Sequence, residues 1–125
     1  MRLVIIGYGR MGKLVDQLAE AYGFEVANRL DIDNNAGGAG ITAEAMRDVD
    51  VAIDFSTAAA ISDNLPRLAE HKVNLVVGTT GWQGEEEALK QIAVAADIGV
   101  VAAANFSRGV ILFLALTARA APLFR

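Results

Sequence analysis

The chain has 125 residues, room for one domain, and 54% of them are apolar, enough for a full core. A formal net charge of −4 argues against nucleic acid or an anionic membrane as partner, since both demand a basic face. With no cysteine and a single histidine, the chain has no means to build disulfides, thiolate catalysis or Cys- and His-rich metal sites.

The first apolar run, Leu3–Ile6, is too short for the core of a signal peptide, and no stretch approaches a membrane span. A soluble cytoplasmic protein is expected. Leu3–Ile6 reads instead as a strand buried on both faces. Arg10–Tyr22 reads as a helix, with Met11, Leu14, Val15, Leu18 and Ala19 on one face and Gly23 as its C-terminal cap. Phe24–Leu30 is a second strand and Asp31–Gly40 a turn-rich loop. A short helix is predicted over Ala43–Arg47. Val51–Asp54 is a third strand, followed by an alanine-rich helix to about His71 with a kink or restart at Pro66. Asn74–Val77 is a fourth strand, Gly78–Gly81 a loop and Glu85–Ala96 a helix. Gly99–Ala103 is a fifth strand, and Gly109 to about Ala121 a last helix. This β-α rhythm with short loops predicts an α/β, Rossmann-like doubly wound parallel sheet, one domain over residues 1–125. Ligands of such sheets lie outside the carboxyl ends of the strands, so the loops after each strand are the ones to read.

The first of them is Gly7-Tyr8-Gly9-Arg10-Met11-Gly12, a G-x-G-x-x-G turn between strand and helix, with Asp31 19 residues past its last glycine. Gly7 suits a tight turn, Gly9 a close approach of backbone to a pyrophosphate, and Gly12 close helix–strand packing. Free N–H groups and the positive helix end then face the phosphates. Asp31 stands where an acid accepts the adenosine ribose hydroxyls. The plain alternative is a tight turn with no ligand. The flanking strand and helix, and the acid at this distance, favour a dinucleotide site.

The later loops are rich in glycine and small hydroxyl residues. Phe55 is a candidate to pack on the adenine or its ribose, and Ser56 and Thr57 are candidates for ligand contact or for capping the next helix. Gly78-Thr79-Thr80-Gly81 brings backbone close to something flat, or is a glycine turn with a cap. Ala104-Asn105-Phe106-Ser107 offers an amide, a ring and a hydroxyl suited to a carboxamide and its ring. Glu85-Glu86-Glu87 reads as a solvated helix start and Trp82 as a cover for the loop edge or a core anchor. Asp31 and Asp33 lack further metal ligands at suitable spacing, and His71 reads as a helix-end histidine rather than a catalytic one.

Taken together, Gly9-Arg10-Met11-Gly12, Asp54-Phe55-Ser56, Val77-Gly78-Thr79-Thr80-Gly81 and Asn105-Phe106-Ser107 with Gly109-Val110 resemble, in order and context, the dihydrodipicolinate reductases of lysine and diaminopimelate synthesis. The resemblance runs the length of the chain and points to the N-terminal, cofactor-binding part. It implies an oxidoreductase that uses NADH or NADPH to reduce the cyclic dicarboxylate product of dihydrodipicolinate synthase to tetrahydrodipicolinate. It implies that Gly7, Tyr8, Gly9, Arg10, Met11 and Gly12 hold the pyrophosphate, Asp31 the adenosine ribose, and Phe55 with Ser56 the adenosine side. Gly78, Thr79, Thr80, Ala104, Asn105, Phe106 and Ser107 then line the nicotinamide end, with Thr80 also bordering substrate. It further implies a homo-oligomer, a tetramer, for the full-length protein.

Two departures from the family accompany this. Many relatives carry one more residue in the glycine turn, and family members are about twice as long, with a His-His-x-x-Lys segment that supplies the proton donor. No such segment occurs here, and a second, substrate-binding domain is expected to be absent from this chain. No catalytic residue is therefore assigned, and the isolated chain is expected to bind cofactor without turnover. The run Val110–Leu116, apolar on every helical face, is expected to lie under that second domain or another subunit, or else centrally within this one. Arg119 and Arg125 suit the negative end of the last helix. Asp31 followed by Ile32 favours NADH, while Arg10 and Arg29, close in sequence, keep NADPH open. Competing readings are another NAD(P)-dependent dehydrogenase of amino-acid metabolism and a non-catalytic NAD-sensing domain.

Overall fold

The computed structural model describes residues 1–124, so Arg125 lies outside the described residues. Five strands form one parallel sheet in the order β2-β1-β3-β4-β5: β1 (Arg2–Ile6), β2 (Glu25–Leu30), β3 (Val51–Asp54), β4 (Asn74–Val77) and β5 (Val100–Ala102). Four helices alternate with them: α1 (Arg10–Ala19), α2 (Ala58–Glu70), α3 (Glu86–Ala96) and α4 (Arg108–Ala120).

The period-two alternation of β1 sorts the core onto two faces. Leu3 and Ile5 meet Val15 and Ala19 of α1 on one, while Val4 and Ile6 meet Ile61, Leu65 and Leu68 of α2 and Leu89 of α3 on the other. The crossover through α1 runs toward β2, and the one through α2 runs the opposite way, toward β4. The chain ends leaving β1 and β3 therefore diverge, and a crevice opens between them.

Most expected elements stand within two residues of their predicted ends, with three corrections. α1 stops at Ala19 and tightens into a 3₁₀ turn, Glu20–Tyr22, closed by Gly23 at φ +78°. Ala43–Arg47 is a string of turns rather than a helix. Its one 4-residue bond, from the Met46 N–H to the Thr42 carbonyl at 2.9 Å, is not continued, and Asp48 reverses the chain at φ +57°. The segment is held by burying Ile41, Met46 and Val49. At Pro66 the expected break does not occur, and α2 runs on through it. Proline costs that turn a hydrogen bond, but Leu65, Leu68 and Ala69 around it are buried and keep the helix seated.

The last helix differs from the others. No residue of α4 is buried, and Leu112 and Phe113 are 68% and 63% exposed. Central burial within this domain is thereby ruled out. Arg119 lies in its last turn, where positive charge suits the dipole. Among the described residues, no helix is long and apolar enough to cross a membrane.

Candidate dinucleotide site

Two connected recesses, of about 390 and 400 Å³, occupy the crevice and share Gly9, Phe55, Ser56 and Thr57. The first runs from Gly7 to Asp31, Ile32, Asn35 and Ala36, while the second extends to Arg10, Met11, Gly78, Thr79 and Thr80. The glycine turn sits at their junction.

Each glycine of the turn has its own reason. Gly7 holds φ +86°, and a Cβ there would lie 2.5 Å from the Phe55 carbonyl oxygen. At Gly12 a Cβ would lie 2.2 Å from the Gly7 carbonyl oxygen, so the helix packs directly under the turn. Gly9 is different: a Cβ there would meet nothing within 4 Å, and its φ of −82° is open to any residue. The protein itself does not require glycine at that position. What a Cβ would fill is the cleft, which is the space a pyrophosphate needs. Gly9 precedes α1 with no side-chain cap, so the helix's first N–H groups are left for an anion.

Asp31 follows β2 at the far end of the first recess and is exposed. Its own N–H donates to Asn34 Oδ1 at 2.7 Å, and its carbonyl accepts from Asn34 and Asn35, which curl the loop beneath it. Neither of the two arginines that keep NADPH open lines the recess that holds Asp31. Arg29 grips Asp16 with two contacts of 2.6 Å and lines a separate recess beside Phe24 and Val26. Arg10 lies in the Thr80 half of the cleft. The Asp16 carboxyl is held below the usual range by Arg29 first and by the Tyr8 hydroxyl second, and the same contact pushes the Tyr8 phenol up.

Several of the candidate residues also make contacts within the fold. The Tyr8 hydroxyl donates to Asp16, so its ring serves the α1–β2 side and only the Tyr8 backbone belongs to the turn. Gly12 is buried beneath the turn rather than facing the cleft. Phe55 lines both recesses, and its ring lies on Gly78, where a Cβ would fall 2.0 Å from Cε1. Thr57, not Ser56, caps α2, accepting from the Ala60 N–H at 3.3 Å. Ala104 joins Thr79 and Trp82 in a small neighbouring recess, and the Trp82 indole N–H donates to the Thr79 carbonyl at 2.8 Å, anchoring that loop. Asn105, Phe106 and Ser107 are exposed and line neither half of the cleft. Asn105 Oδ1 accepts the Ser107 N–H at 2.6 Å, and Ser107 Oγ caps α4. Glu85 accepts the Ser62 hydroxyl, while Glu86 and Glu87 occupy the first turn of α3. His71 is the C-cap of α2.

A buried polar line runs beneath the cleft. Asp54, at the carboxyl end of β3, and Asn64, on α2, are both 0% exposed. Asp54 Oδ1 accepts the Ser56 N–H at 2.8 Å and the Ser56 hydroxyl at 2.5 Å, with Thr79 Oγ1 at 3.4 Å. Its Oδ2 accepts from Asn64 Nδ2 at 2.9 Å. Asn64 Oδ1 in turn accepts from Asn35 Nδ2 at 3.0 Å, and Asn35 Oδ1 accepts the Gly40 N–H at 3.0 Å. Desolvation raises the Asp54 pKa, and the hydrogen bonds from Ser56, Asn64 and Thr79 oppose it. The signal was in the periodicity: Asn64 sits in the apolar stripe Ile61, Leu65, Leu68, where a polar residue needs a buried partner.

The family model described as "Dihydrodipicolinate reductase, N-terminus" matches residues 1–106. A 4-hydroxy-tetrahydrodipicolinate reductase of Christiangramia forsetii is 32% identical over 97% of this chain and 48% of its own length. One of Acinetobacter baumannii is 36% identical over 98% of this chain and 51% of its own. The chain thus spans about half the length of the curated relatives it matches. A solved structure of a probable dehydrogenase from Thermotoga maritima has the same fold, with a TM-score of 0.66 over 82% of this chain and 35% of that one, at 16% identity. The parallel sheet, the glycine turn at its crevice and this family match agree: the chain belongs to the dihydrodipicolinate reductase N-terminal family.

Proposed function

We propose that this chain is the dinucleotide-holding part of a 4-hydroxy-tetrahydrodipicolinate reductase and that its cofactor is NADH. The observation that carries the reading is Gly9, a glycine that the fold does not need and whose missing side chain leaves the junction of the two recesses open. The first N–H groups of α1 would hold the pyrophosphate there, Asp31 would accept the adenosine ribose hydroxyls, and Gly78–Thr80 would line the nicotinamide end. The cofactor, when bound, would supply a hydride for a cyclic dicarboxylate, and Thr80 would border that substrate.

Arg10 and Asp31 are the only ionisable side chains lining the cleft among the described residues. Both are assigned to the cofactor, Arg10 beside the glycine turn and Asp31 at the ribose, which leaves no ionisable side chain of the cleft to protonate substrate. The proton that accompanies the hydride therefore comes from outside this cleft, and residues 1–125 bind cofactor without reducing substrate. NADH is preferred because the Asp31 carboxylate repels a 2′-phosphate, Ile32 offers no countercharge, and Arg29 is committed to Asp16.

Calorimetric titration of the chain with NADH and NADPH tests this. Saturable binding of NADH, tighter than NADPH and lost in Asp31→Ala, is the expected result. No binding at saturating NADH overturns the site, and steady reduction of the dihydrodipicolinate synthase product by the isolated chain overturns the division of labour.

A further inference from the structure

The polar line beneath the cleft has a direction fixed by one backbone group. The Gly40 N–H can only donate, so Asn35 must present its oxygen there and its NH₂ to Asn64. Asn64 must then present its oxygen to Asn35 and its NH₂ to Asp54. Asp54 is met by the Asn64 amide, the Ser56 N–H and the Ser56 and Thr79 hydroxyls, all donors, so an ionised carboxylate is the form that fits.

The consequence falls on the two hydroxyls. Each has one proton and two lone pairs. Ser56 directs its proton to Asp54 Oδ1, and Thr79 directs its own to the same oxygen or to the Asp54 carbonyl, both at 3.4 Å. Both residues line the recess that ends at Thr80. Toward that recess they present lone pairs alone.

We infer that Asp54 is a positioning residue: by taking the hydroxyl protons of Ser56 and Thr79 it fixes both oxygens as acceptors for the donors of the cofactor's nicotinamide riboside half, namely ribose hydroxyls and carboxamide NH₂. Phosphate oxygens and other pure acceptors are refused at the same place. The inference rests on the dinucleotide reading above and deepens it, assigning discrimination in that half to a carboxylate that never touches the ligand.

The test compares NADH with ADP, which lacks the riboside half. Asp54→Asn cannot satisfy both sides: an oxygen turned to Ser56 and Thr79 sets NH₂ against the Asn64 NH₂, and the flipped amide frees the hydroxyl protons. NADH affinity should fall about tenfold, the worth of one hydrogen bond to a charged network, with ADP affinity within about twofold. Pairing Asp54→Asn with Asn64→Asp restores the pattern. The new amide oxygen takes Ser56 and Thr79, its NH₂ meets the carboxylate now at position 64, and the other oxygen of that carboxylate takes Asn35. NADH affinity should return to within about threefold of the parent chain. Thr79→Val removes the acceptor together with the longest of the contacts to Asp54, leaves the Asp54–Asn64–Asn35 bonds in place, and should also weaken NADH and spare ADP. It carries the test if Asp54→Asn fails to fold. Parallel loss of NADH and ADP, no rescue by the paired exchange, or unchanged NADH affinity in Thr79→Val overturns the inference. If the parent chain binds neither ligand, the dinucleotide reading itself fails.

Discussion

The first and last strand-to-helix units among the described residues share a plan, strand then turn then helix, and differ in nearly everything else. β1 pairs on both edges, α1 lies on it, and the turn between them leaves no room for a Cβ at Gly7 or Gly12. β5 has three residues at the sheet edge, and α4 beyond it buries none of its side chains. The first crossover supplies the glycine turn at the junction of the two recesses. The last is correctly capped and helical, yet its residues 105–107 reach neither half of the cleft.

The largest expected effect comes from striking the first crossover where it is tightest. Gly12→Leu drives a side chain into the Gly7 carbonyl and should cost about 3 kcal/mol or more, read as a fall in the urea midpoint. Gly9→Leu, three residues earlier, should leave that midpoint where it was while reducing NADH affinity at least thirtyfold, roughly 2 kcal/mol. A fall in stability at Gly9 as large as that at Gly12 would erase the distinction between a glycine kept for packing and one kept for ligand. Ile32→Arg is gentler. A guanidinium beside Asp31 should raise NADPH affinity relative to NADH by about tenfold, and an unchanged ratio would move the 2′-hydroxyl away from this loop.

How much of this could be read without coordinates depended on how local the cause was. The strands and glycine turn were legible because apolar runs and φ-demanding glycines act within a few residues. β3 and β4 stand at their predicted bounds. Ala43–Arg47 failed because its apolar residues pack individually without a helical ladder, and Pro66 misled because the burial of its neighbours outweighs one missing bond. Tyr8 and Arg29 sit beside the site in sequence but turn to Asp16, a pairing across 8 and 13 residues that no motif encodes. The Asp54–Asn64–Asn35 line escaped for the same reason, although Asn64 on an apolar stripe was a visible clue.

Acid should probe two carboxylates in opposite senses. Asp16 titrates lower in the folded chain than in the unfolded one, so its contribution is present above the ordinary carboxylate range and lost as pH falls through its folded value. Asp54 is raised, so its ionisation weakens the fold as pH climbs from that range through its folded value. Asp16→Asn should therefore lower Tm by a few degrees near neutrality and less at strongly acid pH. An unchanged difference between neutral and acid conditions would remove the Arg29–Asp16 pair as its cause.

The smallest effect is expected at α4, and its smallness is the informative part. Leu112→Glu places a charge on a side chain already 68% exposed, within a helix whose Ser107 cap and backbone ladder it does not touch. Surface substitutions of this kind change stability by about 0.5 kcal/mol or less. A loss several times larger in equilibrium unfolding would mean that α4 is packed in solution, against the sheet or a second copy. The two strand-to-helix units would then be alike in being buried, and the contrast between a tightly packed turn and an unpartnered helix would be gone. A loss within the expected range leaves α4 as a helix held by its cap and its own ladder, its apolar side chains adding nothing to the stability of this chain.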